Sequence, residues 1–314
     1  MDTQPLPIEC FDARLPHGIT LSCRACGPKD APRLLFVHGF PEAAFIWDEL
    51  LRHFGGRYRC VAPNLRGYER SSAPAEVSAY RPKELIADIS ALIDHLGGAV
   101  EALVAHDWGG AVAWNLAARH PHQLKRLVIV NAPHPGTFLR DLQHNPAQQA
   151  ASAYMNFLRR PDAQALLLPD DCARLWRLFE RAGARDAEQP GGAWLTDAAK
   201  AQYRAVWSAG LEGPLNYYRA SPLRPPTPDD QAVMALRLPA ESVSVHVPTL
   251  VIWAEADEAL LPALLDGLDA YVPRMRLVRV PGATHWIVHE RPQLLASEIE
   301  RELLESQPGA TRQN

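Results

Sequence analysis

Cysteine is scarce. The chain has five, at positions 10, 23, 26, 60 and 172, an odd set over a long sequence that fits reduced thiols and not a disulfide framework. Cys23 and Cys26 make a C-x-x-C, yet in a strand-like segment this spacing turns them to opposite faces, against a shared metal or redox role. Positive charge is not in excess: the net charge is -4, and nothing resembles the basic footprint of a nucleic-acid binder. No uninterrupted apolar run is long enough to span a bilayer, and the start, Met1-Asp-Thr-Gln-Pro5, has no charged-then-apolar signal pattern. These absences predict a soluble, cytoplasmic protein with neither a membrane nor a nucleic-acid partner. There is no internal repeat. His285 and His289 are spaced H-x-x-x-H, but without H-E-x-x-H or a nearby third ligand, so neither metal nor cofactor is expected.

What is present, 314 residues with 47% hydrophobic content, suffices for one large core plus an insertion. Ile8–Leu15 and Ile19–Ala25 alternate as an opening hairpin. Buried strands are expected at Arg33–His38, Tyr58–Ala62, Leu103–Ala105, Leu127–Asn131, Val247–Trp253 and Arg276–Val280. Helices are expected at Glu42–Phe54, Lys83–Leu96 (stopped by Gly97-Gly98), Ala111–His120, around Leu261–Tyr271 and at Pro292–Leu304. Strands alternating with helices at this spacing predict a mostly parallel sheet covered on both faces, with its site at the strand carboxyl ends. Residues 134–240 break the pattern: helical stretches such as Ala147–Leu158 and Ala173–Ala182, no clear strand, and a proline-rich exit at Pro222, Pro225, Pro226 and Pro228. They read as a helical cap inserted into a core made of residues 1–133 and 241–314. The polar tail Gln307–Asn314 is expected to fray.

The chain also lacks a serine where one would be looked for. Val100–Trp114 reads as strand, sharp turn and helix, with Gly109 and Gly110 permitting close backbone approach, the form of a nucleophile elbow. Its tip is Asp107. A serine elbow suits acyl transfer, whereas at saturated carbon it would leave an inert ether. Aspartate is ionised near neutral pH and, displacing a group from saturated carbon, makes an ester that water can cleave. Asp107 therefore points to a strained or activated alkyl substrate. Taken alone, the same residue could simply cap the following helix.

An elbow needs an acid and a histidine later in the chain. Asp257, in Ala254-Glu-Ala-Asp257, and His285 follow two expected strand ends, Asp257 to orient the imidazole and His285 to activate water. Glu255 and Glu258 compete for the acid role, with Asp257 favoured by its spacing past the strand. The loop His38-Gly-Phe-Pro41 can aim the Phe40 N–H into the site, and with the Trp108 N–H it forms the expected oxyanion hole. His38, Pro41 and Trp108 are candidate substrate-binding positions, although His38 at a strand end is better suited to fixing its loop by hydrogen bonds.

His38-Gly-Phe-Pro-Glu42, His106-Asp-Trp-Gly-Gly110, Asn131-Ala-Pro-His-Pro135, Ala254-Glu-Ala-Asp257 and Thr284-His-Trp286 together resemble the soluble epoxide hydrolases of the α/β-hydrolase superfamily. The resemblance covers nearly the whole chain. It implies an α/β-hydrolase fold with the cap after the nucleophile half, and a small-molecule epoxide as substrate, opened to a vicinal diol through an ester on Asp107. It also implies two cap tyrosines holding the epoxide oxygen, which match Tyr154 before Pro161 and Tyr218 in Asn216-Tyr-Tyr-Arg219. A phenol suits that task because an opening epoxide leaves a strongly basic alkoxide. Three positions depart from the pattern: Ala105 for Gly, Asn64 for Asp and Glu69 for Gly.

Two alternatives remain at this level. A haloalkane or haloacid dehalogenase would share Asp107, Asp257 and His285, but Phe40 stands where a halide-binding Asn is usual and Trp108 where fluoroacetate dehalogenases resemble one another in Arg. A non-catalytic small-ligand binder would have no need of His285 and Asp257 together. Whether the chain is a monomer or a homodimer is left open.

Overall fold

A computed structural model of the chain describes residues 5–185 and 193–305; the tail from Gln307 lies outside the described residues. Eight strands form one sheet: β1 (Glu9–Arg14), β2 (Thr20–Cys26), β3 (Arg33–Val37), β4 (Arg59–Pro63), β5 (Ala102–His106), β6 (Leu127–Val130), β7 (Thr249–Ala254) and β8 (Met275–Val280). Their spatial order is β1-β2-β4-β3-β5-β6-β7-β8. β2 pairs antiparallel with β1 and β4, and every other pair is parallel.

The central strands read as continuous apolar runs because both faces are covered. Leu35, Val37, Leu103, Ala105 and Ile129 join one apolar cluster, while their neighbours Leu34, Phe36, Ala102, Val104 and Val128 join another. This is the period-two alternation of a pleated strand. Each large apolar side chain buried this way contributes about 1.5–3 kcal/mol. Cys23 and Cys26 separate into the same two clusters, as their spacing predicts.

Several boundaries differ from expectation. Glu42–Phe54 is not one helix: Ala44–Trp47 is a 3-10 turn, Asp48–Phe54 is α-helical, and Glu42 is buried ahead of both. Around Leu261–Tyr271 there are only two 3-10 turns, Pro262–Leu265 and Leu268–Ala270, separated by Gly267 at φ 70°. Ala147–Leu158 divides into helices Pro146–Ala151 and Tyr154–Leu158. Lys83–Leu96 is found at Pro82–His95, and Gly98, at φ 103°, closes it by donating to the Ile93 carbonyl at 3.0 Å.

Among the described residues between β6 and β7 there are helices and loops but no strand. Two of these helices, Pro135–His144 and Ala240–Val243, pack together, and the latter also packs on the core helix Trp108–Arg119. The parallel strands bring the segments after β3, β5, β6, β7 and β8 to one edge of the sheet. His38, Asp107, Asn131, Asp257 and His285 stand there.

Candidate active site

β5 ends at His106 and a helix begins at Trp108, which leaves one residue to reverse the chain. That residue, Asp107, sits at φ 50°, ψ -122°, outside the favoured regions for an L-residue. The following glycines make the turn possible. A Cβ on Gly109 would lie 2.4 Å from the Val37 carbonyl oxygen, and one on Gly110 2.2 Å from the Ala132 Cβ. The Asp107 carboxylate makes no capping hydrogen bond to its helix. Its Oδ1 instead accepts the Phe40 N–H at 2.7 Å, which answers the helix-cap reading. Gly39 allows this approach, since a Cβ there would fall 2.2 Å from that oxygen. The Trp108 N–H is the first of its helix and one of the donors that a helix leaves without an intrahelical acceptor.

His38 does not stand in the wall of either cavity beside Asp107. It is fully buried, its Nδ1 meets the Gly39 carbonyl at 2.9 Å, and its Nε2 accepts the Leu65 N–H at 3.1 Å. As a substrate-binding candidate it is therefore corrected: both nitrogens are used in bracing the loop, and burial lowers its pKa to about 4. Pro41 does line a cavity, and its carbonyl accepts the Trp207 indole N–H at 2.8 Å.

His285 faces two carboxylates. Its Nδ1 lies 2.7 Å from Asp257 Oδ2, and its Nε2 lies 3.8 Å from Asp107 Oδ2. Asp257 is fixed on both oxygens: Oδ1 accepts the Ala259 and Leu260 N–H groups, and Oδ2 the Asn131 side-chain amide at 2.9 Å. Burial would raise the Asp257 pKa, but His285 and these donors bring it below the ordinary carboxylate value. For His285, burial acts to lower the pKa, and the charge and hydrogen bond of Asp257, aided by Asp107, override it and raise it to about 9. Glu255 pairs with Arg279, and Glu258 is exposed at the rim. Neither contacts the imidazole.

Behind this layer is a buried polar group whose membership the sequence did not disclose. Glu42 Oε2 lies 3.1 Å from His106 Nδ1, and His106 Nε2 lies 3.0 Å from the His285 carbonyl. Glu42 Oε1 accepts the Tyr203 hydroxyl at 2.7 Å and lies 2.9 Å from His289 Nε2. Burial would raise the Glu42 pKa, and the hydrogen bonds from His106 and His289 reverse this and hold it well below the usual range. The only sequence signal was that Glu42 and His106 flank the motifs carrying Phe40 and Asp107.

The two tyrosines come from separate helices. Tyr218 belongs to Glu212–Ala220, which docks through Gly213, where a Cβ added to Gly67 would lie 2.8 Å from the Gly213 Cα, and through the Tyr217 hydroxyl, which donates to the Arg66 carbonyl at 3.0 Å. Tyr154 opens the short helix after Ser152, whose hydroxyl accepts the Gln148 amide at 2.8 Å. The same Gln148 binds the Ala259 carbonyl and the Leu261 N–H, tying this helix to the loop of Asp257. The two phenol rings are 6.3 Å apart between centroids, and Tyr218 packs edge-on against Phe40 and Trp108. Burial, and after it neighbouring charge and the Asp107 carboxylate, raise both phenol pKa values.

Asp107, Tyr154 and Tyr218 line both of two adjoining cavities, of about 500 Å³ and about 1230 Å³ including their mouths. His285 and Trp286 border the smaller, and Trp108 the larger. The departures at 64 and 69 belong together: the Asn64 amide donates to a Glu69 carboxylate oxygen and to Ser22, and its Oδ1 accepts the Ala44 N–H at 2.8 Å. Glu69 takes φ 51°, the left-handed region in which glycine is easier, which accounts for the residue commoner there.

An eight-stranded, mostly parallel sheet with an acidic elbow, a later Asp–His pair and helices inserted after β6 defines an α/β-hydrolase architecture, and the family model described as alpha/beta hydrolase fold matches residues 32–292. Epoxide hydrolase 4 of Mus musculus is 31% identical over 92% of this chain and 78% of its own length. A solved epoxide hydrolase from metagenomes of hot environments superposes with a TM-score of 0.83 at 39% identity, covering 95% of this chain and 99% of that one. The Bacillus megaterium epoxide hydrolase, solved with an inhibitor, gives a TM-score of 0.82 at 30% identity, covering 93% and 99%. The chain belongs to the α/β-hydrolase family and, within it, to the epoxide hydrolases. No helix among the described residues is long and apolar enough to cross a membrane.

Proposed function

We propose that this chain opens a small-molecule epoxide to a vicinal diol, with residues 134–240 as the cap over a core of residues 1–133 and 241–314. The observation that carries the reading is the disposition of Asp107: one carboxylate oxygen is held by the Phe40 N–H at 2.7 Å, and the same cavity wall includes two tyrosines of the segment read as the cap, Tyr218 buried and Tyr154 half-buried.

In the first step Asp107 Oδ2 attacks an epoxide carbon. The carbon–oxygen bond breaks, and the departing oxygen, still attached to the neighbouring carbon, takes a proton from Tyr154 or Tyr218. Their raised pKa values keep both phenols protonated beforehand. Ester formation then cancels the Asp107 charge. That loss makes the His285 imidazolium easier to deprotonate, because Asp107 had helped to raise its pKa, and the imidazolium proton passes to the tyrosinate, which leaves His285 neutral for the next step.

In the second step His285, oriented by Asp257, takes a proton from water as the water attacks the ester carbon. The negative charge collects on Oδ1, which the Phe40 and Trp108 N–H groups stabilise. Collapse passes the second proton of the water to the leaving diol oxygen and restores the Asp107 carboxylate, while the first stays on His285, which is again the imidazolium it was at the start. The net reaction adds one water.

Assay of styrene oxide-like epoxides beside chloro- and fluoroacetate tests the assignment. Diol formation from the epoxides without halide release is expected. Halide release with inert epoxides would overturn it in favour of dehalogenation.

A further inference from the structure

Gln148 lies in the helix Pro146–Ala151, between β6 and β7 in the chain, and is 0% exposed. A buried primary amide is costly unless both its donors and its oxygen find partners. Here all three do. Nε2 donates to the Ser152 hydroxyl and to the Ala259 carbonyl, each at 2.8 Å, and Oε1 accepts the Leu261 N–H at 3.0 Å.

These partners belong to two different parts of the reaction. Ser152 donates its N–H to the Gln148 carbonyl at 2.9 Å and accepts the Met155 N–H at 3.0 Å, so it is the joint from which the helix Tyr154–Leu158 starts. Ala259 and Leu261 flank Leu260 in the loop that curls round Asp257, and the Ala259 and Leu260 N–H groups hold Asp257 Oδ1 at 2.8 and 3.0 Å. Gln148 therefore grips that loop on both sides of Leu260 while it fixes the turn before Tyr154. The seam between the two segments stands in the wall of the smaller cavity, where Ala151, Tyr154, Glu258 and Ala259 meet Asp107 and His285.

We propose that Gln148 is a positioning residue for both half-reactions, placing the Tyr154 phenol for ring opening and, through the 257–261 loop, the Asp257 carboxylate that orients His285. It rests on the epoxide-opening reading above. A side chain that merely filled this site would be replaceable by Met, which is similar in length and keeps the space occupied.

The first arm of the test times adduct formation on Asp107 by intact mass spectrometry, with saturating styrene oxide, in the His285→Gln background where the ester is held. Gln148→Met should slow the adduct about tenfold, a part of the general-acid contribution of about 10²–10⁴-fold. With Tyr154→Phe already present, the same substitution should cost a factor of about one, because the group it misplaces no longer donates a proton. At saturation these rate constants do not depend on the fraction of protein that is folded. In the second arm His285 is intact, and the NMR titration midpoint of its imidazole should fall in Gln148→Met as Asp257 is displaced. Ser152→Ala, a milder change, should slow the adduct and leave that midpoint where it was. Losses that simply multiply with Tyr154→Phe, a His285 midpoint equal to that of the wild type in Gln148→Met, or an unslowed adduct in Ser152→Ala would overturn the proposal. Equal adduct rates in the His285→Gln parent and with Gln148→Met added would remove this inference alone, whereas a parent that forms no adduct would remove the reaction reading as well.

Discussion

The Phe40 N–H donates to Asp107 Oδ1 at 2.7 Å, so one oxygen of the nucleophile is held while the other, Oδ2, faces His285 Nε2 at 3.8 Å. This division of labour depends on Gly39, where a methyl group would lie 2.2 Å from the held oxygen. Gly39→Ala should therefore displace the carboxylate and lower kcat/KM by about 10²-fold, the scale of an ångström-level misplacement. Activity near that of the wild type in a folded variant would show that the contact is dispensable.

The raised pKa of His285 is predicted to depend on the charge of Asp107. In Asp107→Asn it should drop from about 9, because one of the three anions opposing the effect of burial, Asp257, Asp107 and Glu42, has been removed. NMR titration of the imidazole reads this directly, and an unchanged midpoint would contradict the charge coupling between ester formation and the base. The sign for stability follows. A folded pKa above the unfolded value of about 6.5 stabilises fully below that pH, and the contribution is lost as pH rises through about 9.

The acid role proposed for Tyr154 and Tyr218 separates epoxide from halide chemistry. An alkoxide needs a proton and a halide does not, so Tyr154→Phe with Tyr218→Phe should reduce epoxide opening by about 10²–10⁴-fold, the usual general-acid contribution. Any displacement of halide from an activated alkyl halide should be spared by comparison. Equal losses on both substrates would point to disturbed packing.

Glu42 is 1% exposed and engages His106, His289 and Tyr203. Glu42→Ala should destabilise the fold by about 3 kcal/mol, since it leaves buried polar partners uncompensated. Urea denaturation measures this, and a loss below about 0.5 kcal/mol would place these bonds with ordinary surface contacts.

The core was legible where order along the chain dictates position in space. Apolar runs after regular spacings marked the parallel strands, and strand ends marked Asp107, Asp257 and His285 for the same edge. The Glu42 group was not, because its partners lie as far as 161 and 247 residues away in the sequence, and no local pattern encodes such a meeting. Asn131 was visible only as part of a motif; its bonds to Asp257 and to the Ala254 N–H follow from β6 lying beside β7. The short turns around Leu261–Tyr271 were read as helix because their apolar spacing is helical, while Pro262 and Gly267 cut them short.

The covalent step is tested most directly by intact mass spectrometry of His285→Gln after addition of an epoxide. Asp107 keeps its held oxygen and its attacking oxygen in this variant, but the ester has lost the base that activates water. The account predicts an accumulating adduct of the substrate's mass, located on Asp107 by peptide mapping. A protein that stays unmodified while the epoxide is still turned over would contradict it.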